Sequence, residues 1–210
     1  MLIEMNIKNT EDRRVRKSKQ ALRKAFRELI TEKPLKYITI KELVERADLN
    51  RSTFYHHYKD IPDMFAQLEQ ELYDELSQVK CRNVLERDSI PELQKKTYQY
   101  IYDLCRKIKE NAELFECILN KNGDLNFVNR CEELLASNIM PTVEKALDDS
   151  LDVGMLYHFL QGGCLGIIKA WANSGFSESI KNTSERLFYY ARGLIVTHNQ
   201  LAGKETELLL

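Results

Sequence analysis

Apolar residues recur at helical spacing along almost the whole chain, which is predicted to be all-α. Gly and Pro are scarce, and no stretch alternates β-branched and polar residues as a strand would. Ala21, Leu22, Ala25, Phe26, Leu29 and Ile30 mark the buried face of a first helix from about Arg13 to Glu32, closed by Pro34. Ile40, Leu43, Val44 and Ala47 fall at i, i+3, i+4 and i+7 and make a second, short helix. Thr39 precedes it as an N-cap, with Glu42 placed to complete a capping box. Asp48-Leu49-Asn50 breaks the periodicity, and Asn50 is a good cap for a third helix from Arg51 to Tyr58. Asp60 caps a fourth, which tolerates Pro62 in its first turn and carries Phe65, Leu68, Leu72, Leu76 and Val79 on one stripe.

Beyond the polar stretch 86–91, Leu93, Thr97, Ile101, Leu104 and Ile108 form one face of the next helix, flanked by Tyr98, Tyr102 and Cys105. A short helix holds Leu114, Phe115, Ile118 and Leu119 and is expected to stop at 121–124. Another runs through Phe127, Val128, Cys131, Leu134 and Leu135 until Pro141 ends or kinks it. The helix over about 152–174 is apolar on two sides and contains Gly162, Gly163 and Gly166, with Gly175 to end it. Glycine inside a helix costs about 0.5–1 kcal/mol relative to alanine, and is usual where another backbone comes close. The last helix, from Glu178 to about His198, adds Leu187, Tyr190, Ala191, Leu194, Ile195 and Gly193. These two helices are therefore expected to pack against a second copy, the competing reading being contact within one subunit.

The segment 39–58 is the most informative. Its second helix buries little more than Phe54 and Tyr58, leaving Arg51, Ser52, Thr53, Tyr55, His56 and His57 outward. A short helix that is mostly polar, aromatic and basic gains little as a core element and suits a groove of DNA. Charge agrees. Residues 1–60 carry 15 Lys and Arg against 9 Asp and Glu, the remainder 16 against 23, so a basic first third precedes an acidic rest.

Other chemistries find little support. There is no nucleophile–base–orienter set, Gly-rich phosphate loop or metal-ligand cluster, so no enzyme and no cofactor is expected. Adjacent His56 and His57 diverge by about 100° on a helix and lack a third ligand nearby, so no metal site is expected. Cysteines 81, 105, 117, 131 and 164 form no C-x-x-C pair and are expected to be buried free thiols. A signal peptide and an apolar run of membrane-spanning length are both missing, and the expected location is cytoplasmic.

Residues 14–69 resemble the TetR family of one-component bacterial transcription regulators. The most specific part is Leu49-Asn50-Arg51-Ser52-Thr53-Phe54-Tyr55-His56-His57-Tyr58, which is similar to the family's hydrophobic-Ser-x-Gly-Thr-hydrophobic-Tyr-x-His-Phe pattern. AELFECILNKNGD and GCLGIIKAWANSGFSES resemble, more loosely, the C-terminal domain of a branch common in Firmicutes. Two positions depart from the pattern. Ile61 stands where the family usually has a phosphate-binding Lys, a contact that is lost or taken over by Lys59. Ser52 replaces the usual Gly of the recognition helix.

The resemblance implies a DNA-binding domain at 1–60, with its helix-turn-helix at 39–58, linked by the fourth helix to a ligand-binding and dimerisation domain at 61–210. Candidate DNA contacts are Thr39, Lys41, Asn50, Arg51, Ser52, Thr53, Tyr55, His56, His57 and Lys59. Arg51 is placed either to read guanine or to clamp a phosphate. Tyr55, His56 and His57 match phosphate contacts. Arg13, Arg14, Arg16 and Lys17 are expected to form a basic arm. Candidate lining for an effector cavity is Tyr98, Tyr102, Phe115, Phe127, Met140 and Trp171. The expected function is a dimeric regulator of a palindromic operator, a repressor released by a small-molecule effector. The alternatives are an activator of the same fold and a helical interaction dimer whose motif binds no DNA.

Overall fold

A computed structural model describes residues 2–81, 89–122, 125–147 and 153–201. Among the described residues every regular element is helical. Helix α1 (Leu2–Glu32) begins well before Arg13, since no Gly or Pro interrupts the chain until Pro34. A 3₁₀ turn (Leu35–Tyr37) leads to α2 (Ile40–Arg46), α3 (Arg51–His57) and α4 (Ile61–Gln78). Then follow α5 (Ile90–Glu110), α6 (Ala112–Glu116), a π-helical stretch (Cys117–Asn122), α7 (Leu125–Ala146), α8 (Val153–Asn173) and α9 (Ile180–Leu201). Pro141 does not end α7, which continues through it to Ala146. The predicted stop at 121–124 falls partly outside the described residues, as do residues 86–88 of the polar stretch 86–91, whose remainder caps and begins α5.

Helices α1, α2 and α3 pack on one another around Leu22, Phe26, Leu43 and Phe54, each fully buried. Burying a side chain of this size contributes about 1.5–3 kcal/mol. Helix α4 leaves this group by continuing the same core: Ile61, Met64, Phe65, Leu68, Leu72 and Leu76 are all buried. The Phe26 and Phe65 rings lie 6.4 Å apart, while the helix also packs on α5 and α7. The buried residues from Leu22 on α1 to Leu187 on α9 form one continuous cluster.

Polar side chains fasten the two parts from outside. Glu71 on α4 receives Lys19 at 3.4 Å and also Arg23, both from α1. Arg27 donates to the Asn111 side-chain oxygen Oδ1 (2.7 Å), and the Asn111 side-chain amide donates to Glu75 on α4 (3.2 Å). Lys107 on α5 pairs with the same Glu75 at 3.5 Å. Asn111 is itself buried, at the turn between α5 and α6.

Two helices end in the same way. The Phe176 N–H donates to the Trp171 carbonyl and that of Gly175 to Ala172, with Gly175 at φ 65°. At the end of α2 the Leu49 N–H donates to Val44 and that of Asp48 to Glu45, with Asp48 at φ 54°. The turn of the helix-turn-helix is thus the glycine type of helix terminus built on an aspartate. A left-handed backbone costs a residue with a Cβ roughly 1–2 kcal/mol, somewhat less for Asp, which tolerates it better than most. Asp48→Gly should therefore raise stability by about 0.5–1 kcal/mol in urea denaturation; a loss of stability would show that the aspartate side chain contributes more than the strain.

Candidate nucleic-acid interface and cavity

Helix α3 is seven residues long, too short to be stable by its own hydrogen bonds. Two anchors and a cap hold it. Phe54 is fully buried and Tyr58, just after the helix, is 2 % exposed, their rings 5.7 Å apart. The Asn50 side-chain oxygen accepts three hydrogen bonds: from the Thr53 N–H (2.8 Å), the Ser52 hydroxyl (2.6 Å) and the Thr53 hydroxyl (2.8 Å). Both hydroxyls of the first turn are therefore directed to the cap. Arg51 is exposed and makes no ion pair among the described residues. Tyr55 is 59 % exposed, and His56 and Lys59 are exposed as well.

Helix α2 presents its N-terminus on the same motif. The Thr39 hydroxyl accepts the Glu42 N–H at 3.3 Å, but the Glu42 carboxylate pairs with Lys33, so the reciprocal half of the expected capping box is replaced by an ion pair. Lys41 is exposed, 3.9 Å from Glu45. Arg13, Arg14, Arg16 and Lys17 are exposed along α1 instead of forming a separate arm, because the helix runs through them. Ile61 is in the core, so the departure at this position removes a cation from the surface altogether. Tyr37, 60 % exposed with the Lys36 ammonium 4.9 Å from its ring centre, lies just before Thr39 and was not anticipated. A Lys-Tyr pair ahead of an N-cap was its only trace in the sequence.

His57 differs from the other outward residues. It is half-buried, with Nε2 2.8 Å from the Ser18 hydroxyl of α1. That hydroxyl gives its one proton to the Val15 carbonyl (2.9 Å), so His57 Nε2 is the donor in the pair and Nδ1 is the basic nitrogen. Burial lowers the His57 pKa, and the nearby His56, Lys19 and Arg23 lower it further. Lys19 also lies over the Tyr58 ring, 5.9 Å from its centre.

The larger helical part contains a cavity of about 520 Å³ between α5, α7, α8 and α9, reaching Leu76 of α4 and Phe115 of α6. Phe115 and Met140 line it as expected. Tyr98, Tyr102, Phe127 and Trp171 do not. Tyr98 and Tyr102 lie on another side of α5, Tyr98 edge-on to Phe188 of α9. Phe127 packs against Phe115 in the core. Trp171 is structural: its indole N–H donates to the Glu178 carbonyl (3.1 Å), and Lys109 stands 5.8 Å from its ring centre. Thr97 and Tyr100 of α5 line the cavity in their place, with Cys105, Cys131 and Cys164.

No disulfide links any of the five cysteines. Burial pushes the three wall thiols up, Cys105 and Cys164 to about 11 and Cys131 to about 12. They are protonated at neutral pH and poor nucleophiles. No group of metal ligands occurs among the described residues, and no helix among them is long and apolar enough to cross a membrane.

Residues 17–68 match the family described as bacterial regulatory proteins, tetR family, and residues 95–193 match a transcriptional regulator C-terminal region of the same group. The chain is similar to the uncharacterized HTH-type transcriptional regulator YxbF of Bacillus subtilis (strain 168), 28% identical over 138 residues. That match takes in 65% of this chain and 32% of the relative, so the chain spans about a third of it. Among solved structures it is similar in fold to a TetR transcriptional regulator from Streptococcus agalactiae 2603V. The TM-score is 0.60 at 20% identity, covering 87% of this chain and 97% of that one. The dihydroxyacetone kinase operon activator DhaS gives 0.53 at 18%, covering 88% and 97%.

Because His57 is harder to protonate folded than unfolded, it adds stability that is present above its ordinary pKa of 6.5 and is lost as pH falls below it. Thermal denaturation across that range should show a steeper acid-side loss for the wild type than for His57→Gln, and equal slopes would refute the shift.

Proposed function

This chain belongs to the tetR family of bacterial regulatory proteins, and we propose that it acts as a dimeric repressor of a palindromic operator, released when a small molecule enters the C-terminal cavity. The observation that carries the DNA reading is the division of α3 into a buried side, Phe54 with Tyr58 beyond it, and an exposed basic and aromatic side. Arg51 of the first turn is the base-reading candidate. Tyr55, His56 and Lys59 are assigned to phosphates, joined by Thr39 and Lys41 at the N-terminus of α2, where free amides favour anions. His57 would meet a phosphate through Nδ1 only as the imidazolium, with both ring nitrogens donating, Nε2 to Ser18 and Nδ1 to the phosphate. Asn50, Ser52 and Thr53 shape the first turn through their shared hydrogen bonds.

A single module spans too few base pairs to select a promoter, so the reading needs a second copy. Met155 and Phe159 on α8 are 75 % and 65 % exposed, and Tyr189 and Tyr190 on α9 are similarly exposed. Gly162, Gly163, Gly166 and Gly193 lie among them, and a Cβ built on any of these would meet nothing within 4 Å. Contact within the subunit therefore does not explain the glycines, whereas close approach of a partner's helices does. The cavity among α5, α7, α8 and α9 is the proposed effector site, and α4 joins it to the reading head.

Binding to the promoter of its own gene should weaken with salt by about 0.9 log unit per log unit for each phosphate contacted. Arg51→Ala should cost roughly tenfold or more in specific binding, and Tyr55→Phe should weaken binding on specific and unrelated DNA alike. Failure to shift any DNA from its genomic neighbourhood at low salt would leave the interaction-dimer alternative instead. In equilibrium sedimentation the wild type should be a dimer and Phe159→Glu a folded monomer. A wild-type monomer would overturn the two-fold reading.

A further inference from the structure

Three hydroxyls of cavity-lining residues, those of Thr97, Tyr100 and Thr142, have no hydrogen-bond partner. The Tyr100 phenol is on a residue 1 % exposed, and the Thr97 hydroxyl lies one helical turn earlier on the same face of α5. A buried polar group left without a partner costs roughly 1–3 kcal/mol, so native structures rarely keep one that nothing uses. We propose that the cavity takes an uncharged, mainly apolar molecule carrying one hydrogen-bond-accepting oxygen, held by the Tyr100 phenol with Thr97 beside it. This rests on the effector reading of the same cavity.

The walls decide the class. Most of the lining is aliphatic, including Leu93, Ile101, Ile139, Leu160 and Ile168, and the volume suits a small organic molecule. Glu132 and Arg192 are the charged side chains of the wall. Glu132 accepts the Gln161 amide at 3.1 Å, and Arg192 also interacts within the protein. A charged ligand would leave water for a wall that is mostly aliphatic, at the expense of desolvation. Burial keeps the Tyr100 phenol protonated, so it offers a donor and the matching ligand group is an acceptor such as a ketone, ester or ether.

Three probes with the same ten carbons separate the alternatives in calorimetric titration of the full chain: butylbenzene, butyrophenone and phenylbutyrate. Butyrophenone should bind tightest, roughly tenfold tighter than butylbenzene, with phenylbutyrate weakest. Tyr100→Phe should bring butyrophenone to the affinity of butylbenzene and leave butylbenzene unchanged, at wild-type helical content. Thr97→Val should narrow the same ratio, and it serves if Tyr100→Phe does not fold. Tightest binding by phenylbutyrate would assign the cavity to anions through Arg192. Equal affinities, no binding, or a ratio that survives Tyr100→Phe would show that the hydroxyls serve no such ligand. Operator affinity is measured separately: if butyrophenone binds as expected but leaves DNA binding unaltered, the ligand class stands and the effector reading fails.

Discussion

The apolar stripe of α4 is the constraint on which the rest of the fold depends. Six of its side chains, from Ile61 to Leu76, are buried, and no single neighbour covers them all. The first half of the stripe closes the three-helix module, where Phe65 meets Phe26. The second half lies on α5 and α7 and ends at Leu76 in the cavity wall. The boundary proposed at residue 60 thus does not divide two separate cores, because the buried cluster runs from α1 to α9 without a break.

A shared core of this kind transmits displacement. Close-packed interiors do not deform smoothly, so a change in the cavity wall is passed to neighbouring helices as a shift between discrete packings. The polar fastening sets where such a shift would be felt. Asn111 joins Arg27 of α1 to Glu75 of α4, and Lys107 of α5 holds the same carboxylate. Tyr100, Cys105 and Ile108 of α5 face the cavity just before Asn111, and Phe115 of α6 lines it just after. The turn between α5 and α6 therefore touches the proposed ligand site and the DNA module together. Whatever free energy couples the two must act equally in both directions.

Periodicity and capping chemistry made the helices legible, down to Thr39, Asn50 and Asp60 as caps. Long-range partners were not. Glu42 had the spacing for a capping box, yet a lysine nine positions earlier takes its carboxylate. On α5 the face Leu93, Thr97, Ile101, Leu104 and Ile108 was read correctly as one surface and does line the cavity. Tyr98 and Tyr102, the expected lining residues of that helix, lie beside it, while Tyr100 lies on it. Aromatic character marks bulk, and only the assembled helices decide which side of α5 meets a void and which packs away from it. The glycines of α8 had the converse problem. Their pattern signalled a close approach, but which chain approaches depends on a surface that folding leaves open.

In the proposed reading head a short helix is fixed before any DNA arrives. Seven residues cannot hold a helix in water, so α3 exists as one because Phe54 and Tyr58 bind it to α1 and α2 and Asn50 caps its first turn. A head fixed in this way does not have to be ordered when DNA binds, and the free energy of each contact goes to recognition. The cap also narrows which side chains remain to read a base. With the Ser52 and Thr53 hydroxyls both donating to Asn50, either can turn to a base edge only by giving up a hydrogen bond of the cap. Arg51 gives up nothing, since no ion pair among the described residues holds it. The serine that replaces the usual glycine therefore acts first on the stiffness of the turn, and the proposed discrimination between base pairs falls mainly to Arg51.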